Sequence, residues 1–162
     1  MASKKFSAKK ITRSYRQTIF ANPEKVFPLL CPVREADWLD GWQYNMIYST
    51  SGLVEKGAVF STAHHDTNET TWLVTNYDMK NFQIDFARFT PESRTCFLQI
   101  SVSAKGNDES FVDISYTYTA ISEQGNNFID SFTEESFLES VKFWEDAMNN
   151  YLKTGTKLEK SS

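Results

Sequence analysis

Apolar and polar residues alternate through most of the chain between residues 10 and 120, and a three-to-four spacing takes over near the start and at the end. In KITRSYRQTIF, residues 10–20, Ile11, Tyr15 and Ile19 share one face of a strand. In ANPEKVFPLL, Asn22 suits a helix N-cap, Pro23 the first helical position and Glu24 the positive end of the helix dipole. Val26, Phe27 and Leu30 supply an apolar stripe there, and Pro28 keeps the helix short. Pro32 ends it and opens a second short helix, for which Gly41 is the stop.

Period two then returns. Tyr44, Met46 and Tyr48 alternate, AVFSTAHH and TTWLVTNY follow, and Phe82, Ile84 and Phe86 share a face. Cys96, Leu98, Ile100, Val102 and Ala104 form the longest one-sided run, and Val112, Ile114, Tyr116 and Tyr118 repeat it after the turn KGNDES. Short strands with one oily face and compact polar turns predict an antiparallel meander. From Thr133, an N-cap followed by acids, Phe137, Val141, Trp144, Met148 and Tyr151 or Leu152 recur at helical spacing until Lys153 and Gly155. Phe128, Ile129 and Phe132 are expected to extend that apolar face upstream. The order is a strand, two short helices, about six strands and one long helix. Such a chain hides its oily faces by wrapping a curved sheet around the helix.

Composition narrows the function. Aromatic residues make up 15% of the 162 residues, which suits thick cores and the walls of small-molecule pockets alike. A net charge of −4 and a pI of about 5.2 argue against a general nucleic-acid binder. Lys4, Lys5, Lys9, Lys10, Arg13 and Arg16 are taken as a solvated tail running into an edge strand. Cys31 and Cys96 lack metal-type spacing and are expected as reduced thiols in a cytoplasmic protein. No apolar run reaches the ~18 residues of a membrane span, and MASKKFSAKK lacks the core of a secretory signal, so the glycosylation-like Asn68-Glu69-Thr70 carries no meaning. The tails, residues 1–9 and 156–162, flank one domain over 10–155.

At this point a likeness emerges. The β-α-α-β6-α order, with NPEKVFPLLCPVREADWLDGW, YSTSGLVEKGAVFST, TTWLVTNYD and YTYTAISEQGN, resembles the SRPBCC superfamily, also called START-like or Bet v 1-like. Within that superfamily the chain resembles small bacterial and archaeal proteins of polyketide cyclase/dehydratase-like type, over about residues 10 to 155. The resemblance implies an α+β helix-grip fold: a curved antiparallel sheet of about seven strands around a long C-terminal helix. It also implies a deep, mainly apolar cavity between them.

Candidate residues follow from that frame. CPVREADWLDGW would close one end of the grip. Arg34 or Glu35 shares a face with Trp38, and the segment is either packing plus a surface ion pair or a cavity rim with Glu35 and Trp38 at the entrance. Asp37 and Asp40 are expected in solvent. His64 shares a strand face with Phe60, and its neighbour His65 points the other way. Adjacent strand histidines cannot converge on a metal without a bulge, so no metal is expected, and a solvent-facing strand end is the plain reading. Asp85 and Asp113 alternate away from apolar neighbours and should face outward. Arg88 lies on the Phe86 face, and buried it would demand a carboxylate from protein or ligand. Trp72, Phe60, Phe86, Tyr116, Tyr118, Trp144 and Met148 complete the expected ligand-binding walls.

No nucleophile elbow, phosphate loop, dinucleotide fingerprint or zinc spacing occurs, so no cofactor is expected. Three functions stand at this stage. The first is binding of a lipid, polyketide or aromatic metabolite. The second is a cyclase/dehydratase-like enzyme using His64, Glu35 or a tyrosine as acid and base. The third is a protein-interaction module with a filled interior. The partner is then a small hydrophobic molecule, with no nucleic acid and no stable membrane insertion, and the chain is a monomer or weak homodimer.

Overall fold

Strand β1 spans Lys10–Ile19 and ends where Asn22 caps a one-turn helix, α1 (Pro23–Val26), by accepting a hydrogen bond from the Lys25 amide at 3.1 Å. A 3₁₀ turn, Phe27–Leu30, joins α1 to α2 (Pro32–Trp38); both α1 and α2 start at a proline as the sequence foretold, and Pro28 is the second residue of the 3₁₀ turn. A computed structural model describes residues 5–63 and 69–160 of the chain. Strands β2 (Asn45–Tyr48), β3 (Val59–Thr62), β4 (Thr70–Asp78), β5 (Gln83–Thr90), β6 (Arg94–Ala104) and β7 (Ser110–Ala120) follow. They form a seven-stranded antiparallel sheet in the order β1-β7-β6-β5-β4-β3-β2.

Helix α4, Glu134–Thr154, runs for 21 residues across the concave face, with Phe137, Val141, Trp144 and Met148 buried. Thr133 caps its start by accepting from the Ser136 amide at 3.1 Å, and Gly155, with φ of 72°, turns the chain out of it. Its polar side ties it to the free edge of β1. The Thr18 amide donates to Glu145 Oε2 at 2.6 Å and the Phe20 amide to Asn149 Oδ1 at 2.9 Å. Asn149 Nδ2 returns a bond to the Thr18 carbonyl, and Gln17 Nε2 donates to the Val141 carbonyl at 2.9 Å. An edge that would otherwise offer unpaired backbone groups to another chain is thus covered from within.

Three expectations are corrected. The region upstream of α4 is a separate helix, α3 (Glu123–Ser131), capped by Ser122 and broken at Phe132. Gly125 weakens its helical signature, yet the position requires glycine, because a Cβ there would run into the Ser93 carbonyl. Asp85, expected in solvent, is 6% exposed: Asn76, beside a bulge in β4, and Gln83 lay their amides over it at 3.4 and 3.3 Å. Tyr48 leaves the Met46 face because a register shift separates the two, and it is 65% exposed. Asp113 does lie outward, bridged to Arg16 at 2.7 Å.

The flanks are attached rather than loose over their described parts. Asn126 accepts from the Lys9 amide and donates to the Ser7 carbonyl, while Lys9 Nζ meets Asp130 at 2.6 Å. At the other end Leu158 bridges Leu39 in parallel, and the Lys160 amide donates to Asp40 Oδ2 at 2.8 Å.

Candidate functional site

The sheet's inner face and α4 do not meet along their whole length. Between them lies a cavity of about 640 Å³ whose wall includes Trp72, Arg88, Tyr116, Tyr118 and Phe137. A second lobe of about 220 Å³ is lined by Glu35, Phe86, Leu98 and Trp144. Trp42, Trp72, Tyr116 and Ser140 line both lobes, so the two are neighbouring parts of one hollow. A further groove of about 440 Å³ lies on the outer sheet face among Ser14, Gln99, Ser101 and Ser115, where Arg16 and Asp113 already satisfy each other.

Local structure explains why these side chains point inward. Trp72, Arg88, Cys96 and Tyr118 occupy four successive strands, β4 to β7, and the register sets Trp72 opposite Arg88, Arg88 opposite Cys96, and Cys96 opposite Tyr118. All four therefore share one face in a row across the sheet. The Arg88 guanidinium lies 4.3 Å from the Trp72 ring centroid, and its Nη1 donates to the Tyr118 hydroxyl at 3.4 Å. Tyr118 stacks on Tyr116 at 6.1 Å, and Tyr116 meets Phe137 of α4 edge-on at 5.7 Å. Trp72 is fixed from both sides: its Nε1 donates to Thr62 Oγ1 at 2.9 Å, and Trp42 packs against it edge-on at 5.9 Å.

The two readings of the α2 segment, packing or cavity rim, divide residue by residue. Trp38 is fully buried, donates from Nε1 to the Leu29 carbonyl at 2.8 Å and stacks on Trp144 at 6.2 Å. It is core, not entrance. Phe60 and Met148 are also 0% exposed and stand behind the cavity surface rather than on it. Arg34 and Asp37 form the surface ion pair, at 3.0 Å. Glu35, Phe86, Trp72, Arg88, Tyr116, Tyr118 and Trp144 do line the hollow. His64 and His65 lie outside the described residues. Among the described residues no group of three metal-type side chains occurs.

Sequence reasoning passed over Trp42, Phe132, Phe137 and Ser140 as wall residues. Trp42 had a usable signal, an aromatic directly after the Gly41 stop, where the chain leaves the helix with φ of 82° and turns across the sheet. Its Nε1 donates to the Pro32 carbonyl at 2.8 Å, which holds the indole over the cavity mouth.

Among the described residues no carboxylate lines the larger lobe, while Glu35 and Asp40 line the smaller one. Glu35 is half-buried and its remaining exposed surface belongs to the smaller lobe. Burial drives its carboxyl well above the ordinary range, opposed only in part by the Arg88 charge. Burial also raises the Tyr116 and Tyr118 phenols, again against the pull of Arg88, so both stay neutral at physiological pH. The Trp144 indole N–H, lining the smaller lobe, has no acceptor among the described residues.

The Glu35 shift has a measurable sign. The native state keeps a proton that the unfolded chain gives up near pH 4.3, so this group's contribution to stability is intact below about that pH. It is lost as pH rises through the raised native value. Glu35→Gln should remove that loss: its urea midpoint should gain on the wild type between about pH 5 and pH 8. Parallel curves would mean that Glu35 ionises freely.

Neither a family model nor a curated protein matches the chain by sequence. Solved structures do match by shape. Norcoclaurine synthase from Thalictrum flavum, in complex with dopamine and hydroxybenzaldehyde, is 14% identical with a TM-score of 0.68, over 100% of this chain and 98% of that one. The Zhui aromatase/cyclase from Streptomyces sp. R1128 is 7% identical with a TM-score of 0.68, over 93% and 100%. Ara h 8.0201 is 14% identical with a TM-score of 0.64, over 90% and 99%. At these identities the likeness is one of fold, and it agrees with the element order, the sheet and the terminal helix: the chain has a Bet v 1-like helix-grip fold.

Proposed function

We propose that this chain binds a small hydrophobic or amphipathic molecule, of lipid, polyketide or aromatic-metabolite type, in the hollow between sheet and α4. The supporting observation is the larger lobe itself, about 640 Å³ and walled by Trp72, Tyr116 and Phe137. That volume lies within the ~300–1,000 Å³ range of small-molecule pockets. Transfer of an apolar guest out of water supplies the driving force, and the few polar groups on the wall fix its orientation. Two structural neighbours of the same fold support the reading: one is in complex with dopamine and hydroxybenzaldehyde, and another is an aromatase/cyclase. The two free, buried cysteines fit a reducing compartment, the cytoplasm.

N-phenyl-1-naphthylamine, a neutral apolar fluorophore, tests this directly. Its emission should rise saturably on titration, with about one site per chain, and Trp72→Ala should weaken binding about tenfold, the equivalent of ~1.4 kcal/mol of lost ring contact. A folded wild-type protein that leaves the probe's emission unchanged would refute the binding function.

A second reading, acid/base catalysis of the cyclase/dehydratase type, is favoured by one observation. Glu35 presents a protonated carboxyl to a hollow that also holds Arg88 and two phenols. In that reading Glu35 donates the proton and a developing oxyanion is held by the cation and the phenols. The interaction-module reading needs a filled interior, which the two lobes oppose.

A further inference from the structure

Arg88 is 8% exposed, carries a permanent charge and has five N–H donors, yet it forms no ion pair with any described residue. One donor makes a long bond to the Tyr118 hydroxyl, and the guanidinium plane rests near Trp72. The Nε–H has no acceptor at all among the described residues. A buried cation in this state is costly unless an anion completes it. The carboxyl that Arg88 senses in the neighbouring lobe is Glu35, beyond ion-pair distance, and burial favours its neutral form. Its other neighbours on the wall, Tyr116 and Tyr118, are kept as neutral phenols, so they too can donate. The larger lobe thus presents donors to its occupant, and no carboxylate of the described residues lines it.

We infer that the occupant brings the anion: the larger lobe takes a carboxylic acid, its carboxylate seated on the Arg88 guanidinium and the Tyr118 hydroxyl, its apolar body against Trp72 and Phe137. The guanidinium fork matches a planar carboxylate through two parallel N–H···O bonds. The aromatic wall dries the pair and strengthens it. This inference rests on the binding function proposed above and deepens it from any apolar guest to an aromatic or aliphatic acid.

A matched pair of ligands separates the two claims. By calorimetry, 2-naphthylacetate should bind the wild-type protein at least about tenfold more tightly than 2-naphthylacetamide, which has the same body and no charge. Arg88→Gln should abolish the preference for the acid, and Arg88→Lys should keep part of it. If N-phenyl-1-naphthylamine binds but the acid gains nothing over the amide, or neither naphthyl compound binds, the carboxylate inference is wrong and the apolar site stands. If none of the three binds, the site itself is wrong. Should Arg88→Gln not fold, the wild-type ratio alone still decides.

Discussion

Trp38→Ala should cost about 3–5 kcal/mol of folding stability, the range for emptying a buried large aromatic. At this chain length that corresponds to a fall in Tm of about 2–4 °C per kcal/mol, read by thermal unfolding followed by circular dichroism. The size follows from the contacts. Trp38 is 0% exposed, its ring stacks on Trp144 of α4 with planes 16° apart, and its N–H satisfies the Leu29 carbonyl in the 3₁₀ turn. One side chain therefore joins α2, the turn before it and the terminal helix. Trp38→Phe retains most of the ring and should lose about 1–2 kcal/mol, chiefly the orphaned carbonyl and the smaller stack. A loss under ~1 kcal/mol for the alanine variant would show the segment to be a loose cover over the grip rather than part of its core.

Gln17→Glu should be nearly as damaging at neutral pH, about 3–5 kcal/mol, and should recover in acid. Gln17 is fully buried on β1, where its Nε2 donates to the Val141 carbonyl of α4 and its Oε1 has no partner among the described residues. A carboxylate has nearly the same shape but cannot donate. It would set a bare charge against a carbonyl, so its native pKa would rise. Stability would then be retained below the unfolded value near pH 4.3 and would fall as pH climbs through the raised native one. Gln17→Met, which removes donor and orphan oxygen together, should lose no more than about 1.5 kcal/mol and show no such pH dependence. Equal urea midpoints for the two variants at about pH 8 would place residue 17 in contact with water.

Periodicity served the sheet well because most strands bury one face only. The alternation of Leu98, Ile100 and Val102 against that of Val112 and Ile114 could be paired by eye, and the register pairs them. Caps at Asn22 and Thr133 and the stop at Gly155 were equally plain, since each is a local backbone requirement. Helix α3 was not, because Gly125 answers to a distant Ser93 rather than to its own turn. Asp85 likewise depends on a bulge and on the reach of two neighbouring amides, which alternation alone does not contain. In the site, the inward set Trp72, Arg88, Tyr116 and Tyr118 followed from strand parity. Trp38 did not, since a tryptophan after a proline-led turn looks the same in sequence whether it plugs the core or rims a cavity. Trp42, four residues on, plays the part that Trp38 was expected to play.

The pairing of β1 with β7 has a consequence for how this chain is made. Ser14 and Ser115 touch across 101 residues, and the edge of β1 is finished only by α4, with Thr18 and Asn149 131 residues apart. Closing so long a loop carries an entropic cost that no local contact offsets early, so β1 must wait. On the ribosome the first strand emerges long before its neighbour, while the meander from β2 to β6 can assemble hairpin by hairpin. Until β7 emerges the nascent domain therefore has an unfinished flank at β6, and the edge of β1 is sealed only as the last helix is released.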